Sequence, residues 1–264
     1  MTQPFVSIIV PITRRWALPK VFKNLDMLYC DLNKTELLFY VDTPDPFILN
    51  DCNKYLRGSK YRRHAMIKSG NTRPTDVSVA VRRARIVESK ERVKPYLAKE
   101  SEYVFGVEDD TGFRRMSLNR LLDPITALPD VGFVQGVQAG RWDTKIIGAW
   151  RANDVSNPTM METVAFEPKW PDGRDKYLEN IDGGGFYCYI TRTELFKKAE
   201  YRSDGLCLGP DVTYGLDLKK QGLKCLMDWG LICEHFTEDQ TILPGSDCQQ
   251  LVYNKIGGQW EKEL

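Results

Sequence analysis

The amino-acid sequence predicts an α/β protein built on a mainly parallel β-sheet with helices on both of its faces. Short aliphatic and β-branched runs, such as 5–10, 36–41 and 103–107, alternate with longer amphipathic segments over the first 110 residues. These runs are apolar at successive positions, which is typical of parallel strands that are buried on both faces. Their alternation with helical segments predicts a doubly wound sheet. With 264 residues, the chain is long enough for one large domain or two modest ones.

The first half divides into strands and helices whose limits follow from proline, glycine and the apolar pattern. A strand at 5–10 is closed by Pro11, and the following helix at 18–29 carries one apolar stripe. The next predicted elements are a strand at 36–41, a helix at 47–56, a strand at 64–67, a helix at 77–97 and a strand at 103–107. In the long helix, the predicted apolar face is Val77, Ala80, Val81, Ala84 and Val87, and charged residues including Lys90 are assigned to other faces.

The second half is less regular. Its predicted elements are a helix from 118, strands at 131–137 and 145–150, a loop at 151–176, a strand at 186–190, a short helix from 193, a helix up to 220, and strands at 223–227 and 232–235. Gly222 is expected to end the last helix. The long loop is rich in asparagine, proline and aspartate, and we expect it to cover a site. The chain after 243 has no clear pattern.

Composition excludes several classes of function. The 37 basic and 36 acidic side chains leave a net charge of +1, which argues against a protein that binds nucleic acid over its whole surface. Seven cysteines without a C-x-x-C pair and only two histidines give no zinc-site spacing. The N-terminal apolar run is too short for a signal sequence or a membrane span. We therefore expect a soluble cytoplasmic protein, in the host cytoplasm if it is viral, without membrane insertion.

Three consecutive acids, Glu108, Asp109 and Asp110, follow the strand at 103–107. Adjacent carboxylates repel one another and lose solvation at the end of a buried strand unless a cation lies among them. A hard divalent metal that is shared with phosphates meets this need. The alternative is that these acids cap the next helix or face solvent.

The ends of three predicted strands carry polar or turn residues, at 11–13, 42–45 and 108–110. Ligands of open α/β sheets bind outside the carboxyl ends of the strands. No G-x-G-x-x-G follows the first strand, and no G-x-x-x-x-G-K-[ST] occurs in the sequence, so neither a dinucleotide fold nor a P-loop is supported. The sequence therefore predicts a ligand site at this edge.

Six segments in order resemble motifs of GT-A glycosyltransferases of the inverting family-two group: VSIIVPIT, FYVDTPD, VAVRRARIV, VEDDTGF, IDGGGFYCYITRTELF and GPDVTYGLDLKKQGLKCLMDW. The resemblance spans 6–235. It implies a GT-A, Rossmann-like sheet with a smaller mixed sheet on the acceptor side. Within one domain, 1–116 would bind the nucleotide sugar, 117–240 would bind the acceptor and supply the base, and 241–264 would form a tail.

The resemblance also implies chemistry: transfer of a sugar, with inversion, from a nucleoside-diphosphate sugar, expected to be a UDP-sugar, with Mn²⁺ or Mg²⁺. The implied metal ligands are Glu108, Asp110 and His235. Glu108 pairs with Asp110 because alternate residues of an extended chain share a side. The implied general base is Asp211, which is otherwise a helix N-terminal acid. The implied donor-binding residues are Pro11, Thr13, Asp42, Arg85, Asp109, Asp182 and Gly184.

The acceptor is less defined. Arginine next to tryptophan at 141–142 and 150–151, and basic clusters at 57–63 and 114–115, suit a nucleic acid or a glycan. The glycine–arginine–tryptophan segments also resemble bacteriophage glycosyltransferases. One hypothesis is therefore a hydroxymethylated pyrimidine in DNA, and the other is a glycan or protein acceptor. A nucleotidyltransferase and a non-catalytic sugar-binding module are the remaining alternatives.

Overall fold

The fold is taken from a computed structural model, which describes residues 3–71, 78–140, 144–155, 161–166, 178–203 and 208–244, and the backbone of 253–256 and 259–262. The first half contains strands β1 (Val6–Ile12), β2 (Thr35–Val41), β3 (Arg63–Lys68) and β4 (Tyr103–Val107), with helices α1 (Leu18–Met27), α2 (Pro46–Gly58) and α3 (Val79–Val93) between them. Strands and helices therefore alternate here as the sequence predicts.

The second half contains helices α4 (Ser117–Ala127), α5 (Thr193–Lys198) and α6 (Pro210–Lys220). Its strands are β5 (Thr111–Gly112), β6 (Val131–Gln138), β7 (Ile146–Ala152), β8 (Met161–Ala165), β9 (Leu178–Ile181), β10 (Gly183–Gly184), β11 (Cys188–Arg192), β12 (Lys224–Phe236), β13 (Gln240–Ile242), β14 (Tyr253–Ile256) and β15 (Gln259–Lys262). Among the helices of the described residues, none combines the length and apolar character needed to cross a bilayer.

The main sheet has the strand order β15-β14-β13-β12-β6-β11-β4-β1-β2-β3. Strands β4, β1, β2 and β3 are parallel, and β11 inserts antiparallel between β4 and β6. A second, antiparallel sheet has the order β10-β7-β8. The predicted class, an α/β fold with a mainly parallel sheet flanked by helices and a smaller second sheet, is confirmed. The small sheet is antiparallel and not mixed.

Local sequence explains where several elements begin and end. Pro11 is tolerated in β1 because the ladder between β1 and β4 ends two residues earlier, at Ile9. Asp45 caps α2 by accepting a hydrogen bond from the backbone N–H of Phe47 at 2.8 Å. Gly222 follows α6 with φ of 77°, a left-handed conformation that favours glycine.

Two predictions about the second half are wrong. The segments 223–227 and 232–235 form one strand, β12, whose register with β6 shifts between Met227 and Ile232. At this irregularity, the carboxylate of Asp228 accepts a bond from the N–H of Gly230 at 3.0 Å. The predicted loop at 151–176 is also partly strand, because its first two residues complete β7 and Met161–Ala165 is β8.

The predicted apolar face of α3 is wrong as well. Of that face, Ala80, Val81 and Ala84 are exposed and only Val87 packs partly against the core, whereas Ser89, Lys90 and Val93 are buried. The helix therefore packs on the sheet through its second half, and a lysine lies on the buried face. Val77 of the predicted face is outside the described residues.

Candidate functional site

The carboxyl ends of β1, β2 and β4 meet at one edge of the sheet. β1 and β2 run in register up to Ile12 and Val41, and the next backbone N–H, that of Asp42, donates to the carbonyl of Ile12 at 2.9 Å. The acids after β4 reach the same place, since Asp109 contacts Thr13. The predicted convergence of the three strand ends therefore occurs.

Asp109 fastens the end of β4 to the turn after β1. Its Oδ2 accepts bonds from the N–H of Thr13 at 2.6 Å, the hydroxyl of Thr13 at 3.0 Å and the N–H of Arg14 at 2.8 Å. The Arg14 guanidinium donates to the other carboxylate oxygen. Burial raises the pKa of Asp109, with a further contribution from the charge of Asp110, and Arg14 and Thr13 oppose this rise. Asp109 thus holds the backbone that frames the edge.

Asp110 and His235 form a second pair at this edge. Oδ2 of Asp110 lies 3.5 Å from Nε2 of His235 and 3.2 Å from the Arg14 guanidinium. Nδ1 of His235 is 2.8 Å from the carbonyl of Ala139, which can only accept, so Nδ1 carries a proton. In the neutral imidazole, the Nε2 lone pair then faces the carboxylate. This is the orientation that a metal-binding histidine takes when its other nitrogen donates to a carbonyl.

A carboxylate oxygen and an imidazole nitrogen this close fit two positions of a Mn²⁺ or Mg²⁺ shell, which usually also contains substrate phosphates and water. Within the part of the chain that the structure describes, no three His, Cys, Asp or Glu side chains are grouped to hold a metal ion. Glu108, Asp110 and His235 are therefore not a preformed triad.

Glu108 is oriented by a turn and not by an extended chain. The N–H of Thr111 donates to the carbonyl of Glu108 at 3.1 Å, so the alternation that paired Glu108 with Asp110 does not apply here. Burial, together with the negative charge of Asp110, raises the pKa of Glu108 to about 7, although the charges of Arg14 and Lys90 oppose the rise. Glu108 therefore lies among both acids and cations.

Asp211 is in the first turn of α6, after Gly209 and Pro210. A Cβ built on Gly209 would lie 2.5 Å from Oδ1 of Asp211 and 3.8 Å from Nε of Arg83, so only glycine leaves room for this carboxylate. Burial raises the pKa of Asp211, whereas backbone N–H groups at the helix start and the charges of Arg83 and Lys90 lower it. A carboxylate with a raised pKa is suited to accept a proton.

Asp42 is buried at the end of β2, and its carboxylate contacts the side chains of Asn71 and Arg85. Its Oδ1 accepts from the amide of Asn71 at 2.7 Å, and Oδ2 lies 3.8 Å from the guanidinium of Arg85 on α3. The same Asn71 amide donates to Glu88 at 3.0 Å. The structure therefore brings Asp42 and Arg85 together as one polar cluster beside the strand ends.

The remaining predicted donor-binding residues have structural partners. Asp182 forms an ion pair with Lys219 at 3.1 Å and accepts from the N–H of Ala152 at 3.0 Å. Gly184 lies in β10, where an added Cβ would be 2.1 Å from Oε1 of Gln135. Pro11 is in β1 opposite Tyr40. Whether any of them contacts a donor stays a prediction, as do the roles of the other site residues.

The acceptor-side predictions are placed only in part. Arg141 and Trp142 lie outside the described residues. Arg151 forms an ion pair with Glu179. The basic clusters at 57–63 and 114–115 come together, because Lys60 and Arg115 line one cavity of about 410 Å³.

Sequence reasoning missed two functional candidates. Arg14 contacts both Asp109 and Asp110, and Lys90 is a buried cation near Glu108 and Asp211. Arg14 was detectable from its position directly after the first strand. For Lys90, no such signal was present, because the predicted apolar face of α3 placed this lysine on another face of the helix.

Comparison with solved structures identifies the fold. A mannosyltransferase of Pyrobaculum calidifontis, PcManGT in complex with GDP-Man and Mn²⁺, superposes with a TM-score of 0.59 at 12% identity, over 88% of this chain and 56% of its own. GalNAc-T7 with UDP, GalNAc and Mn²⁺ gives 0.58 at 12% identity, over 89% and 44%. The chain has the GT-A fold. Residues 1–349 of S. aureus TarS give 0.53 at 10% identity, over 85% and 57%.

These similarities concern the fold. The chain spans about half the length of these three structures. No protein-family model matches the sequence, and no curated protein sequence matches it.

Proposed function

We propose that this protein is a metal-dependent glycosyltransferase that moves a sugar from a nucleoside-diphosphate sugar, with UDP as the expected carrier, to an acceptor hydroxyl with inversion. The observation that carries the proposal is the approach of Asp110 to Nε2 of His235, at 3.5 Å, at the strand-end edge of a GT-A sheet. The GDP-Man, UDP and Mn²⁺ bound to two of the similar structures support the same chemistry.

The metal would be held by Asp110 and His235, with Glu108 as the predicted third ligand. Bound there, Mn²⁺ or Mg²⁺ supplies a Lewis acid that neutralises the diphosphate leaving group. Arg14 adds a fixed positive charge next to the same carboxylates. Asp109 keeps the Thr13–Arg14 backbone beside the diphosphate, and this role does not require it to be a ligand.

The nucleoside would bind where Asp42 and Arg85 meet. Asp42 provides a buried acceptor for an N–H of the base or a hydroxyl of the ribose, and Arg85 provides a cation close to the phosphates. Thr13 and Pro11 line the first strand end of the same edge. Gly184 of β10 is a predicted donor-binding residue, but the space where it lacks a side chain is filled by Gln135, so it would contact the sugar through its backbone, with Asp182 close by in the chain.

Asp211 would act as the general base. It accepts the proton of the acceptor hydroxyl while that oxygen forms a bond to the anomeric carbon, and the bond from this carbon to the diphosphate oxygen breaks on the opposite face. Such proton transfer typically contributes 10²–10⁴-fold to a rate, on the order of 3–5 kcal/mol. The absence of a side chain at Gly209 leaves room for this carboxylate at the start of α6, and the positive charge of Arg83 acts on it.

A thermal-shift panel of nucleotides and nucleotide sugars, with and without Mn²⁺, tests the proposal. We expect a stabilising shift from one nucleoside diphosphate and its sugar conjugates that requires the metal. The absence of any shift across the panel would count decisively against it. Asp211→Asn should keep the Mn²⁺-dependent shift and lose turnover, whereas a sugar-binding module would show no turnover in either form and would keep its binding.

For the acceptor, we propose the hydroxymethyl group of a modified pyrimidine in DNA, with a glycan or protein hydroxyl as the alternative. Two observations support a polyanionic acceptor. Lys60 and Arg115 place two positive charges in one cavity, which suits phosphates. The Arg115 guanidinium also lies 5.6 Å from the ring centre of the exposed Tyr29, an arrangement suited to base contacts. The target base would have to leave the stack. Sugar transfer to free sugars but not to a hydroxymethyl-containing duplex would refute the DNA acceptor.

A further inference from the structure

Asn71 lies between two carboxylates that belong to different elements of the fold. Its side-chain amide nitrogen donates to Oδ1 of Asp42, at the end of β2, at 2.7 Å and to Oε2 of Glu88, on α3, at 3.0 Å. Carboxylate oxygens only accept hydrogen bonds, so both hydrogens of the amide are engaged and its orientation is fixed. Asn71 therefore links the strand end where the nucleoside is proposed to bind to the helix beside it.

The backbone around Asn71 holds it at this place. β2 and β3 are parallel and in register up to Val41 and Lys68. The N–H of Ser69 then donates to the carbonyl of Val41 at 2.9 Å, and the N–H of Asn71 donates to the hydroxyl of Ser69 at 3.3 Å. The first residues after β3 therefore carry Asn71 to the carboxylate of Asp42.

The two carboxylates repel each other, and α3 supplies a cation to each of them. A guanidinium nitrogen of Arg85 lies 3.8 Å from Oδ2 of Asp42. One of Arg92 lies 2.7 Å from Oε1 of Glu88. The Arg85 nitrogen is too far from Asp42 for a hydrogen bond, whereas the Asn71 amide is within range. Among these contacts, the amide is therefore the one that sets the direction of the Asp42 carboxylate.

The two ends of this network differ in exposure. The side chains of Asp42 and Arg85 are 4% and 11% exposed, whereas those of Glu88 and Arg92 are 29% and 50% exposed. A hydrogen bond to a buried charged group contributes more than an ion pair that solvent screens. We therefore expect the bond from Asn71 to Asp42 to matter more than the ion pair at the surface.

We propose that Asn71 is a positioning residue for the donor, whose amide holds the Asp42 carboxylate in the direction in which it accepts a hydrogen bond from the nucleoside. This inference rests on the proposed function, in which Asp42 binds the base or the ribose. Each carboxylate oxygen has two lone pairs, so the bond from Asn71 leaves acceptor positions on Asp42 for a ligand. Asn71 acts through Asp42, at the nucleoside end of the donor and not at the sugar that is transferred.

The test replaces Asn71 by leucine, which has a similar shape and cannot donate a hydrogen bond. Glu88→Gln is the matched control, because the amide oxygen of glutamine can still accept from Asn71 and the ion pair that is lost is with the half-exposed Arg92. Titration calorimetry of UDP and GDP, each with Mn²⁺, measures donor-site affinity. Release of the nucleoside diphosphate from a panel of UDP-sugars and GDP-sugars gives kcat and KM.

We expect Asn71→Leu to weaken binding of the nucleoside diphosphate about 10-fold or more and to raise the donor KM by a similar factor, because a buried carboxylate loses a hydrogen bond. The value of kcat should change less than about threefold, since this contact is the same in the ground state and the transition state. Glu88→Gln should change neither affinity nor KM. Wild-type affinity and KM in Asn71→Leu, or a fall in kcat at unchanged KM, would overturn the inference and leave the proposed function intact.

Asp42→Asn tests whether Asn71 acts through Asp42. The metal and the diphosphate still supply binding in this background. Adding Asn71→Leu should weaken that binding less than about twofold further, because the carboxylate that Asn71 positions is already gone. Full additivity of the two losses would show that Asn71 acts on its own and would overturn the inference.

A second variant covers the case in which Asn71→Leu does not fold. Asn71 is half-buried, and Asn71→Ala removes the amide without adding an apolar side chain, so the same loss of affinity is expected. Wild-type affinity in Asn71→Ala would then overturn the inference. If the wild-type protein binds neither UDP nor GDP with Mn²⁺ and releases neither from a sugar conjugate, the proposed function fails first and the role of Asn71 fails with it.

Discussion

Asp109 and Asp110 are adjacent acids with different partners. Replacing each in turn by asparagine distinguishes the proposed structural role of Asp109 at the strand ends from the proposed metal binding by Asp110. Asp109 accepts from two backbone N–H groups, one hydroxyl and the Arg14 guanidinium. In Asp109→Asn, an amide –NH₂ replaces one acceptor oxygen and meets N–H groups that also donate. The change also leaves the Arg14 charge with Asp110 as its remaining partner among the contacts above.

The expected magnitude follows from these contacts. Hydrogen bonds to a charged group contribute about 1.5–3 kcal/mol each, so four of them set an upper limit well above the true cost. The raised pKa of Asp109 indicates that the cost of burying its charge offsets much of the free energy gained from these hydrogen bonds. The Arg14 side chain is 31% exposed, so it can turn toward solvent when its partner is lost. Breaking a buried ion pair costs about 3–5 kcal/mol. We therefore expect Asp109→Asn to lower the free energy of unfolding by about 3–5 kcal/mol.

Urea unfolding measures this difference, and a thermal melt should show a decrease in Tm of roughly 6–20 °C for a protein of this size. Asp110→Asn is the control, because the Asp110 side chain forms ion pairs with Arg14 and His235 and does not bind the Thr13–Arg14 backbone as Asp109 does. It should cost no more than about 1–2 kcal/mol and abolish the Mn²⁺-dependent binding of UDP. A stable Asp109→Asn variant that loses only metal-dependent binding would refute the assignment of the two roles.

Three further predictions concern individual site residues. In Gly209→Ala, the new methyl group meets the carboxylate of Asp211, so kcat should fall at least about 10-fold with a nearly unchanged Tm; wild-type kcat would show that Asp211 is not positioned by this contact. Because burial raises the pKa of Asp211, kcat/KM should fall as the pH decreases through that raised pKa, above the ordinary range of aspartate, and a flat profile down to pH 4 would contradict this. His235→Ala should raise the Mn²⁺ concentration needed for half-maximal UDP binding at least about 10-fold, which titration calorimetry can measure, and an unchanged requirement would remove His235 from the metal shell.

The sequence was sufficient to predict the edge at which the site lies. Parallel strands carry their carboxyl ends to the same side, so Asp42 and the acids after β4 had to approach one another once the strands were recognised. The contact between Asp109 and Thr13 is a direct result of that geometry. His235 and Asp211 come from a strand and a helix that are distant in the sequence. Only the resemblance of the motifs to those of GT-A glycosyltransferases predicted that they lie at the same edge.

The parts that sequence could not supply depend on side-chain direction and turn geometry. The tight turn at 108–111 changes which way Glu108 points, and a run of three acids contains no signal for it. For Lys90, the charge suggested solvent, whereas the packing of α3 through its second half buries it against Phe186 and Tyr189. The small residue at Gly106 was visible in the sequence, but its purpose appears only when Tyr189 is seen opposite.

In the proposed function, Asp110 and His235 bind a divalent metal that holds a nucleoside diphosphate. The decisive experiment is titration calorimetry of UDP into the wild-type protein and Asp110→Asn, each with and without Mn²⁺. We expect UDP to bind to the wild-type protein only when Mn²⁺ is present, and not to bind to Asp110→Asn under either condition. UDP binding of equal affinity to both proteins, or to the wild-type protein without the metal, would contradict this proposal.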